Sequence, residues 1–302
     1  MRIVIFGGNG FIGKHLVELL KRQKENKIFI YGNKSYSVKG FNLIKYNESN
    51  FKRIIKRNKP NVIFFLSGNS YPINTIDDDL YDFNSNNLVL QELLTVLKKT
   101  SYKHLFFYSS SIAVYGSVKL KKSVNEKYRL NPESSYGISK LIAEKQIEYF
   151  SKNIKFKSII LRLSSIYGPG LSRQIIHDVI KGIMINDKIF LKGSISDSRQ
   201  FLYVKDCVKI FKYLINKKHK KFTIFNIAAG KKVKIFKITN IIKNILQKKI
   251  EIKFLNKLRS PSLPELSNLK LIKKIGKINF TSFEIGLLET LDWIKKNNKK
   301  IK

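Results

Sequence analysis

The stretch Phe6-Gly7-Gly8-Asn9-Gly10-Phe11-Ile12-Gly13 decides how the whole chain is read. Before it stands the apolar run Ile3-Val4-Ile5-Phe6; after it, residues 11–24 carry Ile12, Leu16, Leu19 and Leu20 at helical spacing. A buried strand therefore feeds a glycine turn that opens a helix. In that arrangement Gly7 permits the tight turn, Gly10 lets the backbone approach a pyrophosphate, and Gly13 lets the helix pack closely on the strand. The free N–H groups at the helix start then face the anion. A plain tight turn is the competing reading, yet four of the chain's 16 glycines fall in these eight residues. The turn is accordingly assigned to a dinucleotide, with Gly7, Gly10, Phe11, Ile12 and Gly13 as its contacts.

Apolar runs at 27–31, 61–66, 105–108 and 158–162 predict further strands, and helical patterns near 51–59, 88–99 and 136–152 fall between them. Strands that alternate with helices predict an α/β fold, a Rossmann-type doubly wound parallel sheet covered on both faces. The alternation becomes irregular after Gly168-Pro169-Gly170. Residues 1–167 are expected to form the dinucleotide-binding domain. Residues 168–302 are expected to form mainly a smaller C-terminal substrate-binding lobe, with some segments returning to the first domain. Helices are predicted there near 175–185, 205–215 and 235–246, and a proline-bearing loop at 256–269.

NAD-binding folds of this kind place an acid about 20 residues further on, against the ribose 2′-hydroxyl. Here the second strand ends in Tyr31-Gly32-Asn33-Lys34-Ser35, and no Asp or Glu occurs between Asn26 and Asn47. Gly32 leaves room there, and Lys34 with Ser35 is placed to hold a 2′-phosphate; Gly32, Asn33 and Lys34 are the expected cofactor contacts. NADP(H) is therefore favoured over NAD(H), although in so lysine-rich a chain Lys34 also has an incidental explanation. Leu66 and Ser67, at the end of the third predicted strand, complete the expected cofactor wall.

Charge is the one unusual feature of the composition: 59 Lys and Arg against 21 Asp and Glu, a formal +38. Such an excess ordinarily points to nucleic acid or an anionic membrane. Lysine is instead spread along the entire chain among Ile and Asn, a pattern that an A/T-rich coding sequence produces. No specific nucleic-acid partner is expected. Cys207 is the only cysteine and the four histidines are far apart, so neither a disulfide nor a metal site is expected. The run Asp77-Asp78-Asp79 has no second acidic cluster beside it and reads as a solvated loop or helix cap. No apolar run reaches the roughly 18 residues of a membrane span, and Arg2-Ile3-Val4-Ile5-Phe6 is too short for a signal peptide core. A cytoplasmic location is the expectation.

Tyr-x-x-x-Lys occurs three times, as Tyr115/Lys119, Tyr136/Lys140 and Tyr213/Lys217. Four residues apart on a helix, two side chains share a face, but spacing alone does not choose among the copies. Only Tyr136 opens the helix after the fourth predicted strand, whose end carries Ser109-Ser110-Ser111. Ligands of open α/β sheets bind outside the carboxyl ends of the strands. Ser111, Tyr136 and Lys140 are therefore the candidate catalytic residues.

With these residues in place, the chain resembles the extended short-chain dehydrogenase/reductases of the nucleotide-sugar epimerase, dehydratase and reductase group. The resemblance is carried by residues 7–13, 84–88, 109–116, 136–140, 162–169, 198–206 and 225–230, in family order over almost the whole chain. It implies an NAD(P)-dependent oxidoreductase acting on a nucleotide-diphosphate sugar, assembled as a homodimer and serving cell-surface polysaccharide synthesis. Tyr136 would be the acid/base on the sugar oxygen. A phenol of pKa about 10 is a poor base at neutral pH, and the Lys140 ammonium is expected to favour the phenolate. Lys140 would also hold the nicotinamide ribose, and Ser111 would orient the same sugar oxygen.

The resemblance further implies that Ser165, Arg199 and Arg259 contact the substrate, the arginines on its diphosphate. The competing reading of each arginine, and more so of Arg259, is a solvated surface residue. Ser165 stands where the family often has Asn, Ser262 where it has an acid, and Phe65, Ser67 and Gly68 replace a usual His and Ala-Ala. Ile112 and Ala113 stand where sugar 4,6-dehydratases carry an acid, so dehydration is not expected. Two activities remain. One is reduction of a 4-keto-(6-deoxy)hexose nucleotide at C4, towards which the missing acid after the second strand leans. The other is 4-epimerisation with retained NAD. A non-catalytic nucleic-acid-binding or regulatory protein on the same scaffold is a remote third, and the intact triad speaks against it.

Overall fold

The computed structural model describes residues 1–32, 41–69, 80–118, 123–154, 156–186, 188–255 and 263–297. Strand β1 (Arg2–Phe6) leads through the glycine turn into α1 (Phe11–Lys21), followed by β2 (Lys27–Gly32) and the short β3 (Phe41–Leu43). Next come α2 (Glu48–Asn58), β4 (Val62–Phe65), α3 (Tyr81–Phe83), a π-helical turn at Asn84–Leu88 and α4 (Val89–Lys99). Then β5 (Leu105–Ser111) runs into a 3-10 turn (Ile112–Tyr115), α5 (Ser135–Asn153) and β6 (Lys157–Leu163). The predicted elements are all present, with shifted ends. Helix α2 begins earlier than its apolar pattern because Asn47 caps it, accepting from the Asn50 N–H at 2.9 Å. Strand β5 outruns its apolar run because its three serines stay in the ladder beside β6.

The remainder is β7 (Ser165–Tyr167), α6 (Gln174–Ile185), β8 (Lys188–Lys192), β9 (Ser198–Arg199) and β10 (Phe201–Tyr203). It continues with α7 (Val204–Ile215), β11 (Phe222–Ile227), β12 (Val233–Lys234), α8 (Ile235–Leu246), β13 (Glu251–Leu255), α9 (Leu269–Ile275) and α10 (Phe283–Asn297). Seven parallel strands form the central sheet, in the order β11-β6-β5-β4-β1-β2-β3. Two later segments return to it: β11 pairs with β6, and α7 packs on α1. Away from the sheet, β8 pairs in parallel with β13, and α6 lies against α8. Among the described residues no helix is long and apolar enough to cross a membrane.

Side-chain alternation explains why the strands read as unbroken apolar runs. Ile3 and Ile5 face one core with Leu16 and Leu20 of α1 and Phe211 of α7. Val4 and Phe6 face the other, with Phe51 and Ile54 of α2 and Leu93 and Leu97 of α4. With helices on both faces, neither register of the strand is left for a polar residue. The order reverses between β1 and β4, since the chain winds one way through β2 and β3 and the other way through β5 and β6. The crevice at that reversal opens at the carboxyl ends of the strands, where such folds bind ligands.

Candidate active site

The glycine turn lies at this crevice. Gly7 adopts φ +79°, and a Cβ there would fall 2.8 Å from the Ser67 nitrogen after β4. A Cβ on Gly13 would stand 2.2 Å from the Gly7 carbonyl oxygen, so α1 can sit this close to the turn only with glycine at 13. Gly10 is exposed and, as the N-cap of α1, has no side chain of its own to cap the helix N–H groups. An open, uncapped helix start beside a turn that excludes side chains fits the pyrophosphate of a dinucleotide. Phe11 and Ile12 are half-buried in the first turn of α1. Leu66 and Ser67 are half-buried opposite, with Ser67 Oγ 2.5 Å from Tyr46 Oη, whose pKa burial pushes up to about 12. Gly32 closes β2 as expected. Asn33, Lys34 and Ser35, on which a preference for NADP(H) rested, lie outside the described residues.

Ser111 is the last residue of β5, and Tyr136 stands in the first turn of α5, capped by Ser134, which accepts from the Gly137 N–H at 3.1 Å. The Ser111 hydroxyl stands beside the Tyr136 phenol, close enough to pull its pKa down, and accepts from the Ala113 N–H at 3.2 Å. One turn on, Lys140 is buried beneath them, donating to the Ser109 carbonyl at 3.1 Å and to Tyr108 Oη at 3.3 Å. Its Nζ stands 5.7 Å from the centre of the Tyr136 ring. Burial lowers the Lys140 pKa to about 8, against the opposing pull of Asp82 and Glu144. The three predicted residues are thus brought together.

The expected electrostatics of Tyr136 need correction. Its pKa is raised, not lowered: burial dominates, the Ser111 hydroxyl pulls it down, Asp82 pushes it up and Arg173 pulls it down. The cation that pulls the phenol down is Arg173, at the N-cap of α6.

Among the expected substrate contacts, Ser165 and Arg199 are half-buried on β7 and β9. Burial lowers the Arg199 pKa, and among the described residues it forms no ion pair, although Asp197 offers some compensation. Lys232 lies close enough to be lowered by it as well, after burial. Arg259 and Ser262 lie outside the described residues, as do Asp77, Asp78 and Asp79. Ile112 is buried in the 3-10 turn.

Several neighbours of the triad escaped the sequence reading. The π-helical turn brings Asn86 and Asn87 onto α5, where their side-chain amides donate to Ser139 Oγ at 3.1 Å and to its carbonyl at 2.9 Å. Asp82 is buried and accepts from Asn69 Nδ2 at 2.7 Å. Deeper still, Arg162 and Glu144 form a buried ion pair at 2.7 Å. A signal for it was available: Glu144 follows Tyr136 and Lys140 at the same helical interval, and Arg162 interrupts an apolar strand. A charge in such a strand requires a buried partner.

The doubly wound sheet and the glycine turn are those of a Rossmann enzyme of the short-chain dehydrogenase/reductase type, and Ser111, Tyr136 and Lys140 meet at the strand ends. The chain belongs to the NAD dependent epimerase/dehydratase family, whose profile matches residues 3–228. It is 29% identical over 275 residues to an uncharacterized UDP-glucose epimerase, YtcB, of Bacillus subtilis, covering 85% of this chain and 86% of that one. It is also 29% identical over 271 residues to dTDP-4-dehydro-6-deoxyglucose reductase of Escherichia coli, covering 83% and 84%. The fold matches UDP-glucose 4-epimerase of Thermotoga maritima with UDP-glucose at a TM-score of 0.90 and 23% identity, over 98% of this chain and 99% of that structure. The protein is an enzyme of a nucleotide-sugar family in which NAD is the named cofactor. The sequence-based preference for NADP(H) finds no support there.

Proposed function

We propose that the protein is a nucleotide-sugar 4-epimerase working through NAD. The observation that carries this reading is the meeting of Ser111, at the end of β5, with Tyr136, at the start of α5, with Lys140 buried one turn below. Bound NAD would supply the hydride acceptor and donor. Tyr136 has to act from its phenolate: its Oη takes the proton of the sugar C4 hydroxyl as the carbon is oxidised, and returns it to the same oxygen when the keto-sugar is reduced on its other face. Ser111 Oγ holds that oxygen in line with the phenol. Lys140, with a pKa brought to about 8, changes charge close to physiological pH and shares the buried site with the phenol. Gly7, Gly10 and Gly13 hold the pyrophosphate, while Leu66 and Ser67 form the opposite wall. Arg199 and Lys232 receive the substrate diphosphate, the guanidinium matching its oxygens in pairs. A homodimer acting in the cytoplasm is part of the proposal.

A second reading, reduction of a 4-keto-sugar nucleotide, is favoured by one observation: no acid follows β2 before Glu48, leaving Gly32 where a ribose-binding carboxylate would stand. The E. coli reductase relative supports it too. Neither reading needs an acid in the 3-10 turn, where dehydration would. The test is to purify the protein, release any bound nucleotide by denaturation, and follow UDP-glucose and UDP-galactose by NMR without added cofactor. Released NAD and interconversion of the two sugars are expected. Net consumption of NADPH with a keto-sugar, and no interconversion, would replace the epimerase by the reductase.

A further inference from the structure

We infer that Ser110 and Glu144 form a positioning pair that sets Ser111 against Tyr136. The inference rests on the proposed catalytic role of Ser111 and Tyr136. Ser110 and Arg162 are register partners on β5 and β6, so they stand side by side on the sheet. Glu144 of α5 lies over both. Its Oε1 accepts from Ser110 Oγ at 2.5 Å and from Arg162 Nε at 3.0 Å, and its Oε2 accepts from Arg162 Nη2 at 2.7 Å. Arg162 Nη1 donates onward to Tyr115 Oη at 2.8 Å, and Tyr115 Oη to Asn226 Oδ1 of β11 at 2.8 Å. All five side chains are buried.

The placement of the links matters more than their number. Ser110 precedes Ser111 on the strand, and Glu144 follows Lys140 by four residues on the helix. A single carboxylate therefore ties the strand that carries one half of the site to the helix that carries the other. An apolar set of similar volume would hold the layers together as firmly or more so, but it would not fix their relative height by directed hydrogen bonds. Charge-assisted bonds to a bidentate guanidinium are directional and short. They specify where the end of β5 stands relative to the start of α5, which is the distance from Ser111 Oγ to Tyr136 Oη.

The decisive variant is Ser110→Ala, which cuts the strand arm and leaves the Arg162–Glu144 pair intact. Single-turnover hydride transfer with UDP-glucose, KM and NAD affinity are measured for Ser110→Ala, Ser111→Ala and the double variant. Ser110→Ala is expected to lower the rate about tenfold through misplacement of Ser111, with KM and NAD affinity unchanged. In the Ser111→Ala background it should cost nothing further, because the group it positions is gone. Additive losses, a silent Ser110→Ala, or a loss that appears in KM would overturn the pair. A silent Ser111→Ala would instead overturn the catalytic reading on which the pair depends.

Discussion

Tyr136 and Lys140 at the start of α5 have the same spacing as Tyr213 and Lys217 at the end of α7, and almost nothing else in common. Lys140 is 4% exposed and hydrogen-bonded to β5. Tyr213 is 53% exposed, and α7 ends at Ile215, so Lys217 lies beyond the helix. Lys217 lines a cavity with Met1, Asn61 and His104, at the edge where the strands begin. The third copy differs again: Tyr115 is buried, with its hydroxyl between Arg162 and Asn226. The spacing recurs along a lysine-rich chain whether or not a helix carries it, and Tyr136 and Lys140 share α5 while Lys217 lies past the end of α7. Chemistry requires in addition that the pair start a helix at the carboxyl ends of the strands, where ligands bind.

The largest test of that difference is Tyr136→Phe against Tyr213→Phe. Removing the phenol proton at 136 should slow hydride transfer by about 10²–10⁴-fold while NAD still binds. Tyr213→Phe should leave the rate unchanged. Equal effects in single-turnover assays would erase the distinction between the two helices.

Lys140→Met sharpens the contrast, because function and stability should move in opposite directions. The fall from 10.5 to about 8 means that burying the charged amine costs the fold on the order of 3 kcal/mol at neutral pH. Below pH about 8 both folded and unfolded chains hold this proton, and the penalty is complete. Between that pH and 10.5 the unfolded chain alone keeps it, so wild-type stability gains as pH rises through the window. Cofactor-free Lys140→Met should therefore melt higher than wild type at pH 7, lose that gain with pH, and bind NAD weakly. A lower melting temperature at pH 7 would show that the lysine contributes stability instead.

Tyr115→Phe should have an intermediate effect. It leaves Arg162 Nη1 and Asn226 Oδ1 each short of a partner in a buried site, at a cost of about 1–3 kcal/mol in thermal unfolding. Chemistry should suffer less than in Tyr136→Phe. An unchanged melting temperature would mean that water or the backbone replaces the hydroxyl.

The smallest effect is expected at Lys217→Ala, with both stability and hydride transfer near wild type, as for surface substitutions generally. A marked loss of turnover would place function at the edge where the strands begin and break the comparison.

The amino-acid sequence by itself determined the strand–turn–helix unit at residues 2–21 and the alternation that follows it, and it pointed to Tyr136 over the two other copies of its spacing. These are local matters of period, glycine placement and order along the chain. It did not reveal β3, since three residues carry no period, nor the π-helical turn that seats Asn86 and Asn87 on α5. It misjudged the phenol as well, because a pKa depends on burial and on charges brought from afar: Asp82, and Arg173 from beyond residue 168. The same holds for Ser110, Glu144 and Arg162, which are separated by 34 and 18 residues yet share one carboxylate. Only the packing of α5 onto β5 and β6 makes them neighbours, since register and layer contacts arise from the folded chain and have no local signature.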